Sequence, residues 1–166
     1  MFSACALLRK GEPCADAVFV KIASCHETRA GLFGSLELIQ RLERFPAQFR
    51  NLEAFAACDM VRWLCYPAEL GYEPTRLQAE ARVTSAVEAG DVVHFLWRFT
   101  GDKDEEYAGV SGPYPADAGD QPVAGGDTFS NFTAWQSATP EQHLQGVLDT
   151  LTRWSIARCT QQASEG

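Results

Sequence analysis

Several sequence signals of common protein classes are missing from this chain of 166 residues. No stretch approaches the roughly 18 consecutive apolar residues of a membrane helix. The apolar start at residues 1–8 is ended by Arg9 and Lys10, too early for a signal peptide. Only 14 basic residues stand against 22 acidic ones, so the clustered positive charge that nucleic acid or an anionic membrane requires is lacking. The sequence therefore predicts a cytoplasmic protein that binds neither nucleic acid nor membranes.

Signals of a metal or catalytic centre are also scarce. The six cysteines form no CxxC pair, and a zinc site would need an improvised set such as Cys25, His26, Cys58 and Cys65. Adjacent side chains on a helix point about 100° apart, which is unfavourable for Cys25 and His26 as a nucleophile and its base. None of the glycine-containing stretches is followed by the GK[ST] sequence of a phosphate-binding loop. The sequence predicts no catalytic residue, no metal and no cofactor, and an enzyme using Glu69 or His94 with Tyr114 is the least favoured alternative.

The composition predicts one globular domain over residues 1–166. Apolar residues make up 46% of the chain and charged residues 22%, close to the average for folded domains. Residues 1–14 and 160–166 are expected to be flexible, and the Pro- and Gly-rich residues 115–126 are expected to form a loop. The net charge is −8, and most of it falls in residues 101–127. The cysteines are expected to be reduced in the cytosol, mostly as small buried apolar groups.

The first third of the chain has the apolar spacing of helices. Residues 16–25 and 29–44 predict two helices, and the pattern breaks at residues 26–28. Asn51 is placed to cap a third helix that Pro67 ends. That helix is apolar on two sides, which is typical of the buried centre of a domain.

After about residue 75, the pattern changes to the two-residue repeat of strands. Residues 77–87, 93–99 and 107–111 predict three strands, with the third ending at Gly112-Pro113, and residues 128–133 predict a fourth, edge strand. Thr139, Pro140 and Gln142 form a capping box before a last helix. The predicted fold class is α+β: N-terminal helices packed on an antiparallel β-meander of three or four strands, closed by a C-terminal helix.

Part of the sequence resembles a bacterial module found at the C-terminal ends of HEAT-repeat proteins. The resemblance covers roughly residues 29–148 and includes RFPAQFRNLEAFAACDMVRWLCYPAELGYEPTRLQ, HFLWRF, AGVSGPY and DTFSNF. YPAELG and AGVSGPY are its most specific parts, whereas the segment between Phe99 and Tyr107 is shorter than in that module. No helical repeats are expected before it within these 166 residues. The resemblance implies an accessory or partner-binding role and transfers no chemistry.

Two aromatic turns that contain glycine and proline are the predicted binding site. The turn from Tyr66 to Gly71 is expected to face residues 109–114, with Glu69 in a cleft shared with Tyr114. Phenol and carboxylate groups beside a bare backbone suit a peptide or a small polar ligand. The alternative is that the paired turns only lock the helices onto the sheet. His94 is expected on the outer face of the sheet, as an ordinary surface or packing residue.

The favoured function is a non-enzymatic binding or regulatory module that works through protein–protein contacts. Its acidic surface suits a basic partner, and self-association as a homodimer is the other possibility. The alternative function is binding of a small apolar or aromatic compound in a pocket of the sheet lined by Phe95, Trp97 and Phe99. The predicted binding residues are thus Tyr66, Glu69, Trp97 and Tyr114.

Overall fold

The computed structural model describes residues 2–87, 90–123 and 128–149. Four helices come first, followed by four strands and a helix over residues 140–149, here labelled α5. The elements before α5 are α1 Phe2–Arg9, α2 Asp16–Ser24, α3 His26–Leu38, α4 Leu52–Leu64, β1 Arg76–Val87, β2 Gly90–Thr100, β3 Glu106–Pro115 and β4 Thr128–Ala134. The predicted α+β class and the closing C-terminal helix are confirmed.

The strands form one antiparallel sheet in the order β1-β2-β3-β4, so β1 and β4 are its edges. This is the predicted meander. β3 does not end at Gly112-Pro113 as expected but continues to Pro115. The predicted loop over residues 115–126 begins with this last residue of β3 and a 3-10 helix, Ala116–Ala118. Residues 124–127 lie outside the described part of the chain.

Helix α4 covers the inner face of the sheet. It begins where the sequence predicts, because the Asn51 side chain accepts a hydrogen bond from the backbone N–H of Ala54 at 2.8 Å. Most of its residues are buried, and they pack on inner-face side chains of β2 and β3: Val93, Phe95, Trp97, Phe99 and Tyr114. A helix with two apolar sides is therefore buried as expected.

Helix α5 covers the outer face. Its capping box is formed, since the backbone N–H of Thr139 donates to Gln142 Oε1 at 2.9 Å and the Gln142 N–H donates to Thr139 Oγ1 at 3.3 Å. Leu144 and Val147 of α5 pack on outer-face residues Leu96, Ala108 and Val110. His94 lies in the same strand as Leu96 and is only 5% exposed, so of the two expected roles it has that of a packing residue and not that of a surface residue.

A bulge in β1 changes which face its apolar residues cover. Ala79 pairs with Trp97 and Ala81 pairs with Leu96, so Glu80 is an extra residue. Leu77 and Ala79 therefore pack on the inner core, whereas Ala81 and Val83 pack on the outer one. The predicted single apolar face of this strand is in fact divided between two cores.

The N-terminal helices form a separate cluster beside α4. Residues 1–14 were expected to be flexible, but they include α1, whose Ala4, Cys5 and Leu8 are buried in this cluster. Arg29 of α3 is also buried, and its Nε donates to the Ala23 carbonyl at 2.6 Å. Since Ala23 lies in the last turn of α2, this bond satisfies a carbonyl that the helix leaves open. In the described residues, no helix has the length and apolarity needed to cross a bilayer.

Candidate functional site

A chain of hydrogen bonds links the core to the surface of α4. Tyr114 donates its hydroxyl proton to Asp59 Oδ2 at 3.1 Å, and Arg62 donates to Asp59 Oδ1 at 2.8 Å. Asp59 is 3% exposed, so its carboxylate needs these partners. Trp97 Nε1 donates to Ser111 Oγ at 2.8 Å, which is a second buried hydrogen bond of the inner core. Two of the four predicted binding residues, Trp97 and Tyr114, thus each donate one buried hydrogen bond within the core.

This burial corrects the expectation of a cleft shared by Glu69 and Tyr114. Tyr114 has no exposed surface, and burial, together with the negative charge of Asp59, raises the pKa of its phenol. Glu69 is half-buried in the surface turn that follows α4. A phenol enclosed in the core cannot line an open cleft, so Tyr114 packs and positions Asp59.

The turn that carries Tyr66 and Glu69 is held by its own backbone. The Glu69 N–H donates to the Tyr66 carbonyl at 2.9 Å, and the Gly71 N–H donates to the Leu64 carbonyl at 3.0 Å. Gly71 has φ of +79°, a backbone conformation that favours glycine. Tyr66 is 59% exposed and packs beside Trp63, with ring centroids 6.4 Å apart. This turn therefore presents an aromatic side chain to solvent.

The β2–β3 turn lies against the segment that follows this aromatic turn. Tyr72 is 37% exposed, and its hydroxyl accepts a hydrogen bond from the Asp102 backbone N–H at 3.0 Å. The Thr75 N–H donates to the Thr100 carbonyl at 3.0 Å. These segments and the adjoining start of α3 contain two basic side chains, Arg76 and Lys103, and six carboxylates. The carboxylates are those of Glu27, Glu69, Glu73, Asp102, Asp104 and Glu105. We call this region, with Tyr66 and Tyr72, the acidic end.

A small cavity between α3 and α4 adjoins the acidic end. We call it the α3–α4 cavity; its volume is about 190 Å³, and its lining includes His26, Glu27, Ala30, Cys58, Asp59 and Arg62. His26 Nδ1 lies 2.8 Å from Glu73 Oε1, which fixes the imidazole at the edge of the cavity. Nothing local in the sequence predicts this pair, because 47 residues separate its members.

The cysteine thiols of this cavity are protonated at neutral pH. Burial raises the pKa of Cys58 to about 11, and burial with the nearby carboxylates of Glu73 and Glu27 raises the pKa of Cys65. Cys65 also follows the C-terminus of α4, where the helix dipole disfavours a negative charge. Nucleophilic cysteines need the opposite electrostatics, so these thiols behave as apolar wall groups.

A second cavity lies between α4 and β1. Its volume is about 390 Å³, and its lining includes Gln48, Asn51, Glu53, Gln78 and Trp97. Trp97 is only 2% exposed, so it contributes little surface there. In the described residues, no group of three or more His, Cys, Asp and Glu side chains is arranged to hold a metal ion. The set of Cys25, His26, Cys58 and Cys65 is therefore not assembled as a metal site.

The structure thus divides the predicted binding residues into two pairs. Tyr66 and Glu69 belong to the surface turn at the acidic end, whereas Trp97 and Tyr114 are core residues. Sequence reasoning missed Tyr72, Glu73 and Asp59, and it considered His26 only as a metal ligand or as the base beside Cys25. The charge count pointed to residues 101–127 but carried no signal for the contact between Asp102 and Tyr72. A comparison with protein-family models, curated proteins and solved structures found no match to this chain.

Proposed function

We propose that this protein is a non-enzymatic binding module of the cytosol whose acidic end contacts a basic protein partner. The observation that carries the proposal is the exposure of two tyrosines, Tyr66 and Tyr72, among six carboxylates. Tyrosine supplies a large contact area at low entropic cost and is enriched in protein interfaces. The surrounding negative charge attracts a basic surface and accelerates its association.

Two further features support a role in recognition. The thiols beside His26 are held in their neutral form, which disfavours nucleophilic chemistry in the α3–α4 cavity. The resemblance to a module at the ends of HEAT-repeat proteins also implies partner binding. Self-association through the acidic end is disfavoured, because two copies would bring like charges together.

The sheet itself offers less support for an apolar ligand. Phe95, Trp97 and Phe99 are each at most 2% exposed and pack against α4 in the inner core. A compound that reached these rings would have to displace α4, most of whose residues are buried. The small-ligand alternative would therefore require a large rearrangement.

Binding of basic peptides tests the proposal. We expect an unstructured peptide of net positive charge to bind at low salt, and neutral or acidic peptides of the same length to bind far more weakly. The variant with Asp102→Asn, Asp104→Asn and Glu105→Gln should weaken binding about threefold or more, since each exposed ion pair contributes about 0.2–1 kcal/mol. Tyr66→Ala should weaken it further. Fluorescence anisotropy of labelled peptides at low and high salt measures these effects.

A charge-matched variant separates the acidic end from the net charge. Glu12→Gln, Glu37→Gln and Asp117→Asn remove the same number of exposed carboxylates from other elements. We expect this control to retain most of the affinity. Equal losses in the two triple variants would show that only the total charge matters and would refute the proposed surface.

A further inference from the structure

We propose that the α3–α4 cavity receives an arginine side chain of the basic partner, whose guanidinium takes the place of Arg62 beside Asp59. This inference rests on the proposed function and names the group that the partner inserts. The cavity shares Glu27 with the acidic end, so a partner held there by charge has a basic side chain within reach of the opening.

The volume of the cavity fits one long side chain. A cavity of about 190 Å³ is smaller than the sites of roughly 300–1,000 Å³ that hold drug-sized molecules. It exceeds the share of liquid volume of a single water, about 30 Å³, several-fold. A side chain with an aliphatic stem and a compact charged head is the kind of group that matches this space.

The walls suit an aliphatic stem with a cationic head. Ala30 and Val61 are apolar, and the neutral thiols of Cys58 and Cys65 add soft, weakly polar surface. Long basic side chains bury their methylene groups against such walls while the charged head keeps polar partners. The exposed Glu27 carboxylate adds attraction for a cation.

Asp59 supplies a fixed acceptor. Its Oδ2 is held by Tyr114 from the core, whereas its Oδ1 accepts from Arg62. The Arg62 side chain is 67% exposed and that of Asp59 only 4%, so Arg62 can turn into water while Asp59 stays in place. Arg62 thus demonstrates that the site accepts a guanidinium, and it competes with an incoming one. The flat guanidinium also pairs with a carboxylate through two parallel bonds, which an ammonium cannot do.

Three peptides of otherwise identical basic sequence, with arginine, lysine or citrulline at the centre, test this inference. On the unchanged protein we expect the arginine peptide to bind more tightly than the lysine peptide, and the uncharged citrulline peptide to bind most weakly. Arg62→Ala should tighten binding of the arginine peptide by about tenfold, the scale of one charge-assisted hydrogen bond, because the internal competitor is gone. Fluorescence anisotropy of the labelled peptides measures these affinities.

Filling the cavity provides the reverse test. Ala30→Leu places a larger side chain in the cavity and should abolish the preference for arginine, whereas Ala54→Leu fills the cavity between α4 and β1 and should preserve it. If a leucine at position 30 prevents folding, the exposed Glu27→Gln variant replaces it and should lower affinity for arginine more than for citrulline.

The outcomes separate this inference from the proposed function. If the three peptides bind equally, or Arg62→Ala weakens binding, the arginine site is refuted. The proposed function survives that result as long as the triple variant at residues 102–105 still loses affinity. If that triple variant binds like the unchanged protein, the proposed function fails and the inference fails with it.

Discussion

Asp59 is the residue on which both the core and the α3–α4 cavity depend. Its carboxylate is buried, and transfer of a carboxylate from water into a protein interior is costly unless hydrogen bonds replace the lost hydration. Tyr114 provides one such bond and Arg62 another. Hydrogen bonds also compensate the burial of the Arg29 charge, since its guanidinium donates to carbonyls of α2 and α4. The interior thus accepts charge where partners are supplied.

His94 is an exception to this pattern. Its Nδ1 is buried and has no hydrogen-bond partner in the part of the chain that the structure describes. Burial lowers the pKa of His94 below the ordinary value of 6.5, so the folded protein holds the neutral ring. The unfolded chain binds a proton near pH 6.5, before the folded protein does. Stability contributed by neutral His94 is therefore complete above that pH and is lost as the pH falls below it.

We predict that the free energy of unfolding decreases between pH 7 and pH 5 and that His94→Phe reduces this decrease. One group contributes at most about 1.4 kcal/mol per pH unit to the slope. Chemical denaturation of both proteins across this range measures the effect, with His26→Gln as the control for a partly exposed imidazole. An unchanged pH profile in His94→Phe would show that His94 does not contribute.

Two of the register shifts in the sheet, the bulges in β1 and β3, illustrate how far strand periodicity predicts a sheet. Alternation correctly located β1 and β2, because each has a half-buried or buried face. It did not reveal the bulge at Glu80, since Leu77, Ala79, Ala81 and Val83 are apolar throughout although they serve opposite cores. A helix covers each face of the sheet, so the side chains of β1 that point to the core are apolar on both sides of the bulge. The pattern of apolar residues therefore does not reveal that the bulge moves them from one face of the sheet to the other.

The second bulge lies in β3 opposite His94. Val93 pairs with Tyr114 and Phe95 with Ser111, which leaves Gly112 and Pro113 opposite a single residue. This insertion returns Tyr114 to the inner face, where its hydroxyl reaches Asp59. Gly112 has φ of +121°, and a Cβ there would lie 2.6 Å from the Val93 carbonyl oxygen. The placement of Tyr114 therefore requires glycine at this position.

We predict that Gly112→Ala lowers the free energy of unfolding by about 1–3 kcal/mol or more, because it combines backbone strain with a steric clash. Gly119→Ala isolates the strain: φ there is +63°, and no atom lies within 4 Å of the added carbon. Its cost should be roughly 1–3 kcal/mol, because φ of +63° with ψ of −120° is a backbone conformation that residues other than glycine rarely adopt. Gly34→Ala in α3 has neither penalty and should stabilise by about 0.5–1 kcal/mol. Equal stability of the first two variants would refute the role of the clash.

At the scale of the whole molecule, the acidic end is a local cluster of negative charge. The net charge is −8, and the acidic end combines carboxylates from three separate segments of the chain. Composition predicted an acidic surface, and the sequence placed Tyr66 and Glu69 together because they share one local turn. Glu73, Tyr72 and Glu27 were missed because only long-range contacts bring them there. A candidate site built from several segments is predictable only in its local parts.

Concentrated like charge lowers stability, and salt relieves that cost. We predict that the unchanged protein becomes more stable as salt rises from low to high concentration, and that the variant with Asp102→Asn, Asp104→Asn and Glu105→Gln gains less. The control with Glu12→Gln, Glu37→Gln and Asp117→Asn should keep most of the salt response, because its carboxylates lie apart from the acidic end. Asp104 has φ of +62°, where asparagine is well tolerated, so only the salt-dependent difference is compared. Denaturant unfolding at several salt concentrations measures it, and equal responses of the two triple variants would mean that the acidic end carries no special electrostatic cost.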